Sequence, residues 1–194
     1  MKRKIAVTGG IGSGKSTVME LLKKWGYGVF SCDQIYRNLL LEKSYIEKLQ
    51  KLFPAAVVSG KIDTKKLSEI IFNDRTARKQ LNGLAHPLIM QKLYADMDRS
   101  ASKLVFAEVP LLFEGGYEKD FDAVIVVIRD KTERIKSICE RDNVTMDEAL
   151  KKINAQYDYD KMLTFLQKQG AHILSNFSLK NLEKDLEQIL KDLS

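Results

Sequence analysis

Five short stretches of the chain are apolar at most positions, and most are separated by amphipathic stretches. They are Lys4–Thr8, Gly28–Cys32, Leu104–Val109, Ala123–Ile128 and His172–Ser175. The fourth reads AVIVVI, apolar throughout, as in a strand buried on both faces. Helical periodicity marks Lys15–Trp25, Thr132–Asp142, Thr145–Asn154 and Leu179–Leu193, and Thr145 with Glu148 has capping-box spacing. Strands alternating with helices predict an α/β fold in which a five-stranded parallel sheet lies between helical layers, a three-layer sandwich.

The alternation fails twice. Residues 34–102 contain DTKKLSEIIF, DRTARKQLNGL and HPLIMQKLYADM, all helical in period, with no strand expected between them. That length exceeds a simple crossover and predicts a helical subdomain inserted at the ligand edge of the sheet. A second excursion, from Asp130 to about Lys168, is again helical and charged. The chain has no internal repeat, no low-complexity tract and only three prolines.

Composition narrows the possibilities. With 194 residues, 44% hydrophobic and 30% charged, the chain suits one domain with a real core. No apolar run approaches the roughly 20 residues of a membrane helix. The start, MKRKIAVTGG, lacks the long apolar region and cleavage site of a secretion signal, so a cytoplasmic, membrane-free protein is expected. Two cysteines without metal spacing read as buried or half-buried thiols. The net charge of +6, from 32 basic and 26 acidic residues, suggests an anionic partner. The basic residues are scattered and no aromatic stacking module accompanies them, which argues against nucleic acid and for a small anionic ligand.

The candidate chemistry is concentrated in GGIGSGKST, Gly9–Thr17, between the first strand and the first helix. Gly9, four residues, then Gly14-Lys15-Ser16 form a Walker A pattern in its proper context. Glycines let successive N–H groups of Gly10, Ile11, Gly12, Ser13 and Gly14 turn around a phosphate, and the helix opening at Lys15 adds its own N–H groups and dipole. Lys15 is expected on the β- and γ-phosphates of a nucleotide, the Ser16 hydroxyl on Mg²⁺ and Thr17 on the α-phosphate. Asp33, at the carboxyl end of the second strand, reads equally as a proton acceptor for phosphoryl transfer and as a helix N-cap. A hydrolytic switch would need a guanine-specifying Asn-Lys-x-Asp, which the chain lacks.

Taken together, these segments resemble the bacterial dephospho-CoA kinase family. TGGIGSGKSTV fits the family's opening, Asp33 with Arg37 its Asp-x-x-x-Arg, Leu81–Ile89 (LNGLAHPLI) its His-Pro segment, and Val109–Glu114 (VPLLFE) its third-strand exit. Arg141-Asp142, Gln156 and Asn176 fit its lid and the end of its last strand. The resemblance implies a P-loop fold like that of adenylate kinase, and an ATP- and Mg²⁺-dependent kinase acting on the ribose 3′-hydroxyl of dephospho-CoA. It also implies a core of about 1–33, 103–129 and 170–194, a CoA-binding helical subdomain of about 34–102 and a lid of about 130–168. It makes Asp33 the general base and Arg141 the lid cation. Arg37, His86 and Leu111 join Asp33 as substrate-binding positions, while His86-Pro87 on its own residues reads as a helix start. Glu108 and Glu114 flank the third strand's exit as candidates to hold a metal-bound water. The implied partners are ATP and dephospho-CoA, with no nucleic acid or membrane, for a monomer or weak homo-oligomer. The chain departs from the family pattern at Ser31-Cys32, in place of Asp-Ala, and in the longer, arginine-poor YDYDKMLTFLQKQG.

Overall fold

The computed structural model describes residues 2–176 and 178–193. In chain order the elements are β1 (Arg3–Thr8), α1 (Lys15–Lys24), β2 (Gly28–Ser31), α2 (Cys32–Leu39), α3 (Lys43–Leu52), β3 (Val57–Val58), β4 (Lys61–Ile62), α4 (Thr64–Asn73) and α5 (Arg75–Arg99). There follow β5 (Leu104–Glu108), β6 (Ala123–Ile128), α6 (Lys131–Asp142), α7 (Met146–Asn154), α8 (Tyr159–Lys168), β7 (His172–Ser175) and α9 (Leu179–Leu193). All five expected strands form. They build one parallel sheet in the order β2-β5-β1-β6-β7. β1 lies at its centre, with Ile5 opposite Phe106 on one side and Ala123 on the other.

The chain divides into two compact units, residues 1–30 with 99–194, and residues 31–98. In the first, the sheet packs through Ile5, Val7, Phe106, Ile125, Val127 and Leu174 against Val18, Leu22, Leu182 and Leu186 of α1 and α9. These side chains are all fully buried, which explains why the central strands have no polar alternation. α8 sits on the sheet through Tyr159 and Leu166, which cluster with Val126, Ile128 and Ile173. α6 and α7 instead share a small cluster of their own, Ile135, Ile138 and Ala149. The capping box expected at Thr145 and Glu148 is present in full.

The second unit corrects three expectations. VVSGKI forms a two-stranded antiparallel hairpin within the stretch expected to be wholly helical. Ser59 and Gly60 both have positive φ (51° and 73°), as a two-residue I′ hairpin loop requires. His86-Pro87 does not start a helix, because α5 runs unbroken for 25 residues with Pro87 inside it. A buried row at every fourth position, Ala77, Leu81, Ala85, Ile89, Leu93 and Met97, spans the proline and holds the helix together. Pro87 crowds and leaves unbonded the carbonyl four residues back, here that of Gly83; both residues are exposed, so water can take the bond. Asp33 does not cap α2 either. Ser31 does, its hydroxyl accepting from the Gln34 N–H at 3.5 Å, while Asp33 lies in the first turn.

Candidate active site

β1 delivers the chain into a loop whose last residue, Gly14, is left-handed (φ 92°) and serves as N-cap of α1. A side chain at Gly14 would be strained by that backbone and would fall on the Asn176 amide. No side chain caps α1 and no acidic residue occupies its first turn. The opening of the helix therefore presents uncompensated positive potential, the setting in which phosphates bind. The Ser13 hydroxyl is buried without a partner, in a residue only 1% exposed. A buried donor of this kind costs stability until an acceptor reaches it, so the loop fits a bound polyanion. The Lys15 ammonium donates to the carbonyls of Gly9 (2.8 Å) and Gly10 (3.1 Å). It is thus held over the loop. Ser16 is exposed and Thr17 half-buried, at the start of the same helix.

Side chains from more than a hundred residues away brace this loop. Asn176, just past β7, donates its amide to the Ser13 carbonyl at 2.9 Å. Thr8 and Tyr159 share a buried hydroxyl–hydroxyl bond of 2.9 Å directly before Gly9. The Ile11 N–H donates to Gln156 Oε1 at 2.7 Å, and the Ile11 carbonyl accepts from Arg134 Nε at 3.0 Å. Arg134 is 5% exposed and also pairs with Asp160 at 3.3 Å. Sequence reading placed Gln156 by resemblance without assigning it a role, and missed the tasks of Arg134 and Tyr159, which no local spacing signals.

Arg141 is placed differently. It lies in the last turn of α6, with its side chain 61% exposed, and grips the neighbouring Asp142 through Nε (2.7 Å) and Nη2 (3.2 Å). Lys152 of α7 reaches the same carboxylate at 2.6 Å. The Arg141 hydrogen bond, and after it that of Lys152, hold the Asp142 carboxyl far below the usual carboxylate range. One acid thus gathers two cations on the α6–α7 hairpin. At the exit of β5, the Glu114 carboxylate accepts from the Tyr157 N–H at 3.2 Å, and Phe113 stacks on Tyr157 with ring centroids 5.6 Å apart. Leu111 is half-buried in the turn that follows β5, and Glu108 ends the strand.

The remaining expected site residues belong to the unit of residues 31–98. Asp33 and Arg37 are both exposed on α2, one helical turn apart. His86 is half-buried in α5, and burial lowers its pKa from the ordinary histidine value. Cys32 is buried and Cys139 half-buried, as expected. Among the described residues, no group of three or more His, Cys, Asp or Glu could hold a metal, and no helix is long and apolar enough to cross a membrane.

The family model described as dephospho-CoA kinase matches residues 3–176. The chain belongs to the dephospho-CoA kinase family. Among its curated relatives, the dephospho-CoA kinase of Thermus thermophilus is 35% identical over 191 residues, covering 98% of this chain and 91% of the relative. That of Helicobacter pylori is 32% identical, covering 100% and 98%. Among solved structures, one from Thermus thermophilus superimposes with a TM-score of 0.86 at 34% identity, covering 100% of this chain and 98% of that one. A dephospho-CoA kinase from Campylobacter jejuni gives 0.70 at 29% identity, with the same coverage. A shikimate kinase from Bacteroides thetaiotaomicron, 12% identical with a TM-score of 0.52, shows that the P-loop kinase fold is shared and no more. Dephospho-CoA kinases are transferases of the last step of coenzyme A biosynthesis and use ATP as substrate.

Proposed function

We propose that this chain transfers the γ-phosphoryl group of ATP to the ribose 3′-hydroxyl of dephospho-CoA, with Gly10–Thr17 as the phosphate cradle and Asp33 as general base. The observation that carries the reading is the loop before α1: a left-handed glycine cap, an uncapped helix start, a buried unpartnered serine hydroxyl and a lysine poised above them. In this mechanism the Lys15 ammonium leaves the Gly9 and Gly10 carbonyls for the β- and γ-phosphate oxygens. The N–H groups at the start of α1 hold the phosphates in line. Asp33 accepts the proton of the attacking hydroxyl, a role supported by its exposure just past β2 and by Ser31 having taken over the capping task. Arg141, still fully charged beside Asp142, stabilises charge on the transferred group. Arg37, His86 and Leu111 contact the acceptor.

A Mg²⁺ ion, if bound, would supply positive charge to offset the negative charge that develops on the phosphate oxygens. The Ser16 hydroxyl would be its protein ligand, and Glu108 or Glu114 would hold one of its waters. A metal of this kind binds mainly through phosphates and water, which fits a site without a carboxylate cage. The enzyme is read as a cytoplasmic monomer or weak homo-oligomer. A coupled assay of ADP release, run with dephospho-CoA, shikimate and nucleosides and with or without a chelator, tests the whole reading. Turnover confined to dephospho-CoA, lost with the chelator and yielding a 3′-phosphorylated product, is expected. Turnover of another acceptor at equal efficiency would refute it.

A further inference from the structure

Ile11 stands at the tip of the phosphate loop, yet its contacts lie in the α6–α7 hairpin. Both of its backbone polar groups are taken by side chains from that hairpin and its end. The N–H goes to Gln156, directly after α7, and the carbonyl to Arg134, in the first turn of α6. Two consecutive peptide planes, before and after Ile11, are therefore each held by a side chain. The Ile11 side chain completes the arrangement, packing into the hairpin's own apolar cluster beside Ile135, Ile138, Ala149 and Ile153. Gly12 shows how close the approach is: φ is 77°, and a Cβ there would stand 2.9 Å from the Arg134 carbonyl oxygen.

We infer that Gln156 and Arg134 are positioning residues for phosphoryl transfer, acting through Ile11, so that the α6–α7 hairpin and the phosphate loop keep one shape together. The physical argument is preorganisation. A glycine-rich loop has many accessible backbone states, and ordering it costs roughly 1–2 kcal/mol per residue. Bonds made before the nucleotide arrives meet part of that cost in the folding of the protein rather than in binding. The Ile11 N–H, expected among the phosphate donors of the Gly10–Thr17 loop, is instead given to Gln156, which leaves the other N–H groups of the loop and of the start of α1 to set the register. Because the contact is mutual, a nucleotide that orders the loop must also order the hairpin that holds Arg141.

This inference rests on the loop being the nucleotide site, and the experiment keeps the two apart. Wild-type enzyme is first titrated with a non-hydrolysable ATP analogue, and hydrogen exchange is followed at residues 131–154 and 15–17. Failure of the wild type to bind the analogue would overturn the nucleotide-site reading itself. If it binds and both segments are protected, three variants follow. Gln156→Met keeps length and bulk but cannot accept the Ile11 N–H. Its KM for ATP should rise about tenfold, the equivalent of one hydrogen bond, while KM for dephospho-CoA holds. Gln156→Glu retains an acceptor and should recover most of that loss. Ile11→Ala removes the plug from a partly buried position, where the fold should tolerate it. In both Gln156→Met and Ile11→Ala, the analogue should still protect residues 15–17 but largely fail to protect 131–154. If Gln156→Met does not fold, Ile11→Ala decides alone. Wild-type KM for ATP together with undiminished protection of the hairpin, in either variant that folds, would overturn the inference.

Discussion

The phosphate loop and the helical unit of residues 31–98 are ordered in opposite ways. The loop has almost no regular structure of its own, and its shape is imposed by Asn176, Gln156, Arg134 and Tyr159, all remote in sequence. In the helical unit the helix starts are fixed by neighbours in sequence. Ser31 caps α2, Asp63 accepts from the N–H groups of Lys65 and Lys66 to cap α4, and Asp74 accepts from those of Thr76 and Ala77 at the start of α5. A site that must hold reacting phosphates gains from many independent braces, because each removes backbone freedom before substrate arrives. A unit that presents exposed groups such as Asp33 and Arg37 needs only stable helices beneath them.

That contrast predicts where substitutions will act. Asp33→Asn should cost most, lowering kcat by roughly 10²–10⁴ with little change in KM, since the amide cannot take the hydroxyl proton. Thermal stability should scarcely move, because Ser31 holds the cap; a drop in melting temperature with kcat intact would reassign Asp33 to structure. Lys15→Ala should lower turnover on the order of a hundredfold with the fold unchanged, as expected for a group that stabilises transition-state charge. Near-normal turnover would remove the loop from the mechanism.

Arg141→Lys should cost about tenfold in kcat, because lysine keeps the charge but loses the planar fork. Arg141→Ala should also weaken the protection from protease that ATP analogue plus dephospho-CoA give to residues 130–168. Full activity of Arg141→Lys would leave Arg141 as no more than a partner for Asp142. Asp63→Ala removes a cap that has no part in the proposed chemistry. It should cost about 1 kcal/mol in denaturant unfolding and leave both KM values alone.

The smallest effect belongs to pH. Burial lowers the His86 pKa, so its neutral form is favoured in the folded protein. That contribution is complete above the unfolded value of 6.5 and is lost as pH falls through the folded pKa, because the unfolded chain takes up the proton first. Melting temperature should therefore decline below that pH, and His86→Gln should flatten the decline. An unchanged slope would show that other groups produce it.

How much could be read in advance follows from the same physics. The five strands and the helices α1, α6, α7 and α9 were legible because each is written in its own residues, as apolar runs, helical periods and a capping box. The glycine-rich loop before α1 was legible because its glycines, Lys15, Ser16 and Thr17 are contiguous. The hairpin at Ser59-Gly60 carried a turn signal that helical period on either side obscured. Pro87 misled because a proline's local preference for a helix start was overridden by the buried row from Ala77 to Met97, which only packing reveals. Arg134 and Arg141 are alike in sequence, seven residues apart on one helix. Only the tertiary structure makes the first a buried brace on Ile11 and leaves the second exposed beside Asp142. Local patterns record which face of an element is apolar; they hold no record of which polar atom, a hundred residues away, will be brought within 3 Å.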